Sequence, residues 1–203
     1  MESFLDEAVQ WTENLSISKI PHKSLENAKL MIIDTISATL VSSRSEWSKK
    51  LGISKIESVL ELFPILSVMY DYDSTLLYYG HLGHGITAAS LFSIPYLNVS
   101  GEDLMKSAIA SSEISARVAS SLSISKTRGQ SMTSIHSLST SIVLSELYNT
   151  NLKNSIGLSL GYMIKPTLHG FVSLSKLYSA SLGVEMGYKA FRVLHFGIFM
   201  IQR

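Results

Sequence analysis

The sequence predicts an all-α protein, a multi-helix bundle in a single domain spanning residues 1–203. Two observations carry this. Apolar residues recur at helical spacing along most of the chain, and no alternating strand pair or hairpin turn interrupts them. A third observation sets the style of packing. Ser, Ala and Gly crowd the helix faces, as in Ala108, Ala110, Ser111, Ser115 and Ala119, and small side chains let helix axes approach closely.

The elements come in this order. Glu2 to Leu15 places Phe4, Leu5, Ala8, Val9 and Thr12 at helical spacing. Pro21 breaks the chain, Ser24 reads as an N-cap, and Leu25 to Val41 continues with Leu25, Ala28, Ile32, Ile33, Ile36 and Leu40 in helical rhythm. Residues 42–50 are polar and loop-like. Residues 53–68 are apolar again, interrupted by Pro64. Residues 69–75, an acidic and aromatic knot, have no clean period. His84 to Ile94 reads as a small-residue helix. Ser100 or Gly101 caps the next, with Glu102 and Asp103 in the first turn where the helix dipole favours acids, and it runs to about Leu122. Lys126 to Gly129 reads as a loop. Helices are expected over Ser134–Leu147 and from Leu152 to about Ile164, Pro166 and Gly170 punctuate, and a last helix runs from about Ala180 to the end. The total is roughly six to nine helices.

Composition narrows the function classes. A chain of 203 residues can bury a sizeable core without disulfides or a structural metal. The absence of cysteine removes disulfide scaffolds, cysteine zinc sites, iron–sulfur clusters and thiol catalysis. Lys+Arg number 17 against 16 Asp+Glu, a net charge of +1, so nothing in the balance favours a nucleic-acid partner. Charged residues make up only 16%, and the mean hydropathy is +0.24. The longest uncharged stretch, Ser74 to Gly101, is long enough to span a bilayer, but histidines, glycines and Pro95 interrupt it, so a buried helix is expected rather than a membrane span. Glu2, Asp6 and Glu7 replace the basic region of a signal peptide, and the expected compartment is the cytoplasm.

The densest run of reactive side chains is Asp71, Asp73, Ser74, Thr75, Tyr78, Tyr79, His81 and His84, set in an otherwise apolar chain. Burying a carboxylate with an imidazole is costly unless they pair, and a sequence that accepts the cost is often building a site. A satisfied, partly exposed loop is the competing reading. Asp73, His81 and His84 also offer a metal-ligand set, but no third histidine follows at ligand spacing, so neither a metal nor another cofactor is expected.

These letters carry a resemblance. Pro21 followed by Ala28-Lys29 and Ile33-Asp34-Thr35 resembles an opening "LP…AK…LLDT" helix. Asp71-Tyr-Asp-Ser-Thr75 followed by His81 resembles a D-F-D-D-T-x5-H motif, and Ser100-Gly-Glu-Asp-Leu104 with Glu113 and Arg117 resembles an "SG.DLL.A…E…R" helix. The chain thus resembles the N-terminal helical part of the MmgE/PrpD family, which includes 2-methylcitrate dehydratase, cis-aconitate decarboxylase and iminodisuccinate epimerase. The likeness runs nearly the whole length, in order and in register.

The resemblance implies a hydro-lyase acting on a tricarboxylate such as 2-methylcitrate. Asp71, Thr75 and His81 would form the catalytic set. Tyr78 and a lysine would bind the substrate carboxylates. Two registers compete for that lysine. Lys165-Pro-Thr-Leu-His169 copies the family's K-P-L-H letters with one residue inserted, whereas Lys176 places Gly187 and Gly197 where the family's next helix keeps its glycines. Lys176 is preferred and Lys165 stays open. The family's loop histidine falls where this chain has Gln130, and His136 lies too far along to stand in without a shift.

The family also implies a second α+β domain, which supplies the other wall of the cleft. The sequence ends near where that domain would begin, so the expectation is a helical domain truncated relative to the family and weakly active or inactive alone. The expected partners are a small di- or tricarboxylate, a second copy in a homo-oligomer, and a second chain supplying the missing domain; nucleic acid and membrane are not expected. A different class stands beside the lyase: a non-catalytic helical dimerisation or small-carboxylate-binding module. Asp71, Thr75 and His81 favour the first reading, and Gln130 and the missing domain favour the second.

Overall fold

The computed structural model describes residues 3–75, 80–121, 132–163 and 175–197. Among the described residues there are nine α-helices and no β-strand, so the fold is the all-α bundle that the apolar period predicts. The helices are α1 (Phe4–Glu13), α2 (His22–Ser43), α3 (Glu46–Lys50), α4 (Val59–Val68), α5 (Gly83–Ser93), α6 (Gly101–Ser121), α7 (Ile135–Leu147), α8 (Leu152–Gly161) and α9 (Ser175–His195).

Local chemistry sets most boundaries. Ser3 and Asp6 form a reciprocal capping box at the start of α1. Ser100 and Asp103 repeat the exchange at α6, where Ser100 Oγ accepts from Asp103 N and the Asp103 carboxylate accepts from Ser100 N and Oγ. Asn151 caps α8 through Asn154 N. Several sequence expectations shift. α2 starts at His22 rather than after Ser24, because Pro21, with φ of −55°, is already set for a helix start and its carbonyl accepts from Ser24 N and Leu25 N. The stretch 42–50 contains the short helix α3, capped by Ser45 Oγ accepting from Ser48 N. Pro64 lies inside α4 rather than breaking it. The last helix begins at Ser175, ahead of the expected Ala180.

Helix α7 is the centre of the molecule. Every residue from Ile135 to Ser145 is buried, and it packs against α5, α6, α8 and α9. Ile135, Leu138, Ile142, Val143 and Leu144 supply its share of the main core, with Ile86, Ile114, Ile156 and Phe191 opposite. A helix buried all round has no polar face, so its hydroxyls turn to backbone carbonyls where they can, Thr140 Oγ1 and Ser145 Oγ being left without a partner. Ser137, Ser139 and Ser141 donate one turn back, to the carbonyls of Ser134, His136 and Leu138, and Ser111 of α6 donates across to Ser139 O at 2.8 Å. The serine-rich faces are therefore packing surfaces, with each hydroxyl in this set returned to a backbone carbonyl.

Helix α2 buries its small side: Ala28, Thr35, Ala38 and Ser42 face the core, while Leu30, Ile33, Leu40 and Val41 are more than half exposed. No helix among the described residues is long and apolar enough to cross a membrane.

Candidate functional site

The site is built where the turn after α4 meets the first turn of α5. Asp71 has a φ of 54°, a left-handed conformation that suits glycine best and that aspartate tolerates better than most residues. Its N–H donates to Val68 O at the end of α4, so the chain turns sharply there. The turn carries Asp73 inward and leaves Asp71 and Tyr72 outside.

Asp73 is 7% exposed and faces two imidazoles. Its Oδ2 lies 2.5 Å from His81 Nδ1 and 3.0 Å from His84 Nε2. The two rings stack with centroids 5.7 Å apart. His84 is fully enclosed, and its Nδ1 is 2.6 Å from Ser67 Oγ on α4, which fixes the ring. Thr75 Oγ1 is 3.3 Å from His81 Nδ1. His136 of α7 packs edge-on against His84 with centroids 5.2 Å apart.

The electrostatics arise from burial and contact. Burial alone would raise the Asp73 carboxyl, but the close approach of His81, then of His84, outweighs it and holds the group well below the usual carboxylate range. The pull is that of short polar contacts rather than aligned bonds, because Asp73 Oδ1 and Oδ2 and His84 Nε2 are buried without a hydrogen-bond partner. Burial, reinforced by the neighbouring histidines, pushes His136 well below the ordinary histidine range, so it is a neutral imidazole at neutral pH.

Of the site residues expected from sequence, Thr75 and His81 come together. Asp71 instead forms an ion pair with Lys176 in the first turn of α9, where the lysine side chain is 11% exposed and the aspartate 60%. Tyr78, Lys165 and Gln130 lie outside the described residues. A cavity of about 480 Å³ opens beside Thr75, lined among others by Trp11, Lys19, Asn27, Ser74 and Glu113. That volume is within the range of small-molecule sites. Thr75 thus stands between the cavity and the Asp73–His81 pair.

Sequence reasoning undervalues Asp73 and sets His136 aside. His81 and His84, close together at a helix start, are a usable signal for a shared face. Nothing local marks His136, which reaches the site only because α7 packs on α5. No family model matches the chain, and no curated protein matches it either.

Proposed function

We propose that this chain is an MmgE/PrpD-like lyase domain, or a subunit of such a lyase, acting on a small di- or tricarboxylate such as 2-methylcitrate. The observation that carries the reading is that Thr75 and His81, from the segment that resembles the family's motif, meet the buried Asp73 carboxylate beside a cavity. With Nδ1 turned to Asp73 and Thr75, His81 keeps Nε2 to take the proton alpha to a substrate carboxylate. Asp73 orients the ring and stabilises the imidazolium that results, as a carboxylate does beside a catalytic histidine. Loss of the hydroxyl as water then needs an acid. Lys176 already engages one carboxylate, that of Asp71, and a substrate carboxylate competes with it. The opposite wall, which the family takes from an α+β domain, would exclude water from this half-cleft.

A second reading, a non-catalytic helical dimerisation or carboxylate-binding module, is favoured by the aliphatic stripe of Leu30, Ile33, Leu40 and Val41 on α2. One set of measurements separates the two. Calorimetric titration with citrate should show weak binding, abolished in Lys176→Ala and reduced in His81→Ala. Turnover of 2-methylcitrate by the chain alone should be low, rising when the α+β domain of a family member is added. His81→Ala should then lower the restored rate by roughly 10²–10⁴-fold. Absence of citrate binding at millimolar concentration, with a dimer in light scattering, would favour the dimerisation module.

A further inference from the structure

We propose that Asp73, His81 and His84 form a binding site for one divalent transition-metal ion of the zinc class. One ligand atom from each of the three lies within 4.8 Å of the others, and Asp73 Oδ2 lies 2.5 Å from His81 Nδ1 and 3.0 Å from His84 Nε2. Ligands that share a zinc at about 2.0–2.2 Å stand about 3.0–3.5 Å from each other, so the His84–Asp73 contact already has the right length and the His81–Asp73 contact would open slightly. The orientation of the contacts is the second observation. An imidazole N–H that serves a carboxylate points along the N–O line. Ligands of one cation aim their lone pairs at the cation, which makes the N–O contacts short and bent. Here the contacts are 2.5 and 3.0 Å, yet both carboxylate oxygens and His84 Nε2 are buried with no hydrogen-bond partner.

The surroundings fit a ligand set. Ser67 holds His84 by Nδ1, the outer-shell support that aims the other nitrogen at a metal. The 2.6 Å contact between Ser67 Oγ and His84 Nδ1 leaves Nε2 as the ring nitrogen that faces Asp73 Oδ2. Two imidazoles and one carboxylate select a borderline ion over magnesium or calcium, which prefer oxygen. Asp73 and His84 side chains are 2% and 1% exposed and His81 is 26% exposed, so an open coordination position faces the His81 side. The sequence argues against a metal for want of a third histidine. The fold makes a fully buried carboxylate the third donor and leaves the fourth place to water or a ligand.

The inference stands independently of the lyase reading. The untagged full chain, stripped with chelator, is titrated with Zn²⁺ by calorimetry and with Co²⁺ by visible absorption. The expected result is one saturable equivalent and a cobalt d–d spectrum. Affinity should fall at least about tenfold in His81→Ala and in Asp73→Asn, and the cobalt spectrum should disappear in both. His81 is partly exposed and Asp73→Asn keeps its volume, so these variants avoid the folding risk of removing enclosed His84. His22→Ala, at an exposed histidine on α2, should bind like the parent. No saturable equivalent, or equal affinity in the parent and both site variants, would overturn the proposal. The citrate titration is read separately: its failure beside intact zinc binding would remove the lyase reading and keep the metal site.

Discussion

Asp73→Ala is expected to destabilise the fold by about 3 kcal/mol at neutral pH, the lower end of the range for removing one member of a buried charged pair. The carboxylate is enclosed, and its close polar contacts are the nitrogens of His81 and His84. Truncation leaves the enclosed His84 Nε2 without its carboxylate contact, beside His136, itself an enclosed imidazole. The cost stays at the low end because His81 is partly exposed, so water can serve its nitrogen once the carboxylate is gone. Asp73→Asn keeps the shape and should lose less. Urea unfolding measures both, with a lower midpoint and an unchanged slope as the signature of a pure stability change. A loss below about 1 kcal/mol in Asp73→Ala, the ordinary effect of a point mutation, would mean that the carboxylate contributes no net structural energy.

Two mid-helix glycines should respond in opposite directions to the same substitution. A Cβ on Gly187 of α9 would stand 2.3 Å from Ser137 O and 2.7 Å from Thr140 Cβ, both on α7. A backbone oxygen cannot step aside as a side chain can, so the helices must part. Overpacking of this kind costs up to about 3 kcal/mol, while the gain in helix propensity from Gly to Ala returns about 1 kcal/mol. The clash wins, and Gly187→Ala should destabilise by about 2 kcal/mol. A methyl group on Gly157 of α8 would meet nothing within 4 Å, so only the propensity acts there. Gly157→Ala should stabilise by about 0.5–1 kcal/mol. Thermal unfolding of the pair reads the contrast directly. Equal shifts in the same direction would show that close approach of α9 to α7 is not what Gly187 provides.

The acidic turn before α5 separates what spacing specifies from what it leaves open. Thr75 and His81 share a contact, as the D-x-D-S-T-x5-H spacing suggests. Asp71 and Asp73 sit close together in an aperiodic turn, and no sequence rule says which one turns inward. The left-handed φ at Asp71 settles it, and that conformation is held by the end of α4 behind it.

The helices and most of their ends are legible in the amino-acid order alone, because they depend on interactions within about four residues. The apolar period identifies α5 and α7 to within a residue, and the start of α8, which ends at Gly161 rather than near Ile164. Ser100 with Asp103 is legible as a cap because donor and acceptor lie on the same turn. Which face each helix buries is set by its neighbours. The period that identifies α2 is right for Ala28, Ile32 and Ile36, which pack inward, but Ile33 and Leu40 are exposed while the core takes Thr35 and Ala38, whose small side chains let α2 approach α4 and α5 closely. The site belongs to the same tertiary level. Ser67, Asp73, His84, His136 and Lys176 come from α4, the turn beyond it, α5, α7 and α9. Their meeting depends on contacts between elements far apart in the chain, which carry no local periodicity or spacing for a sequence to display.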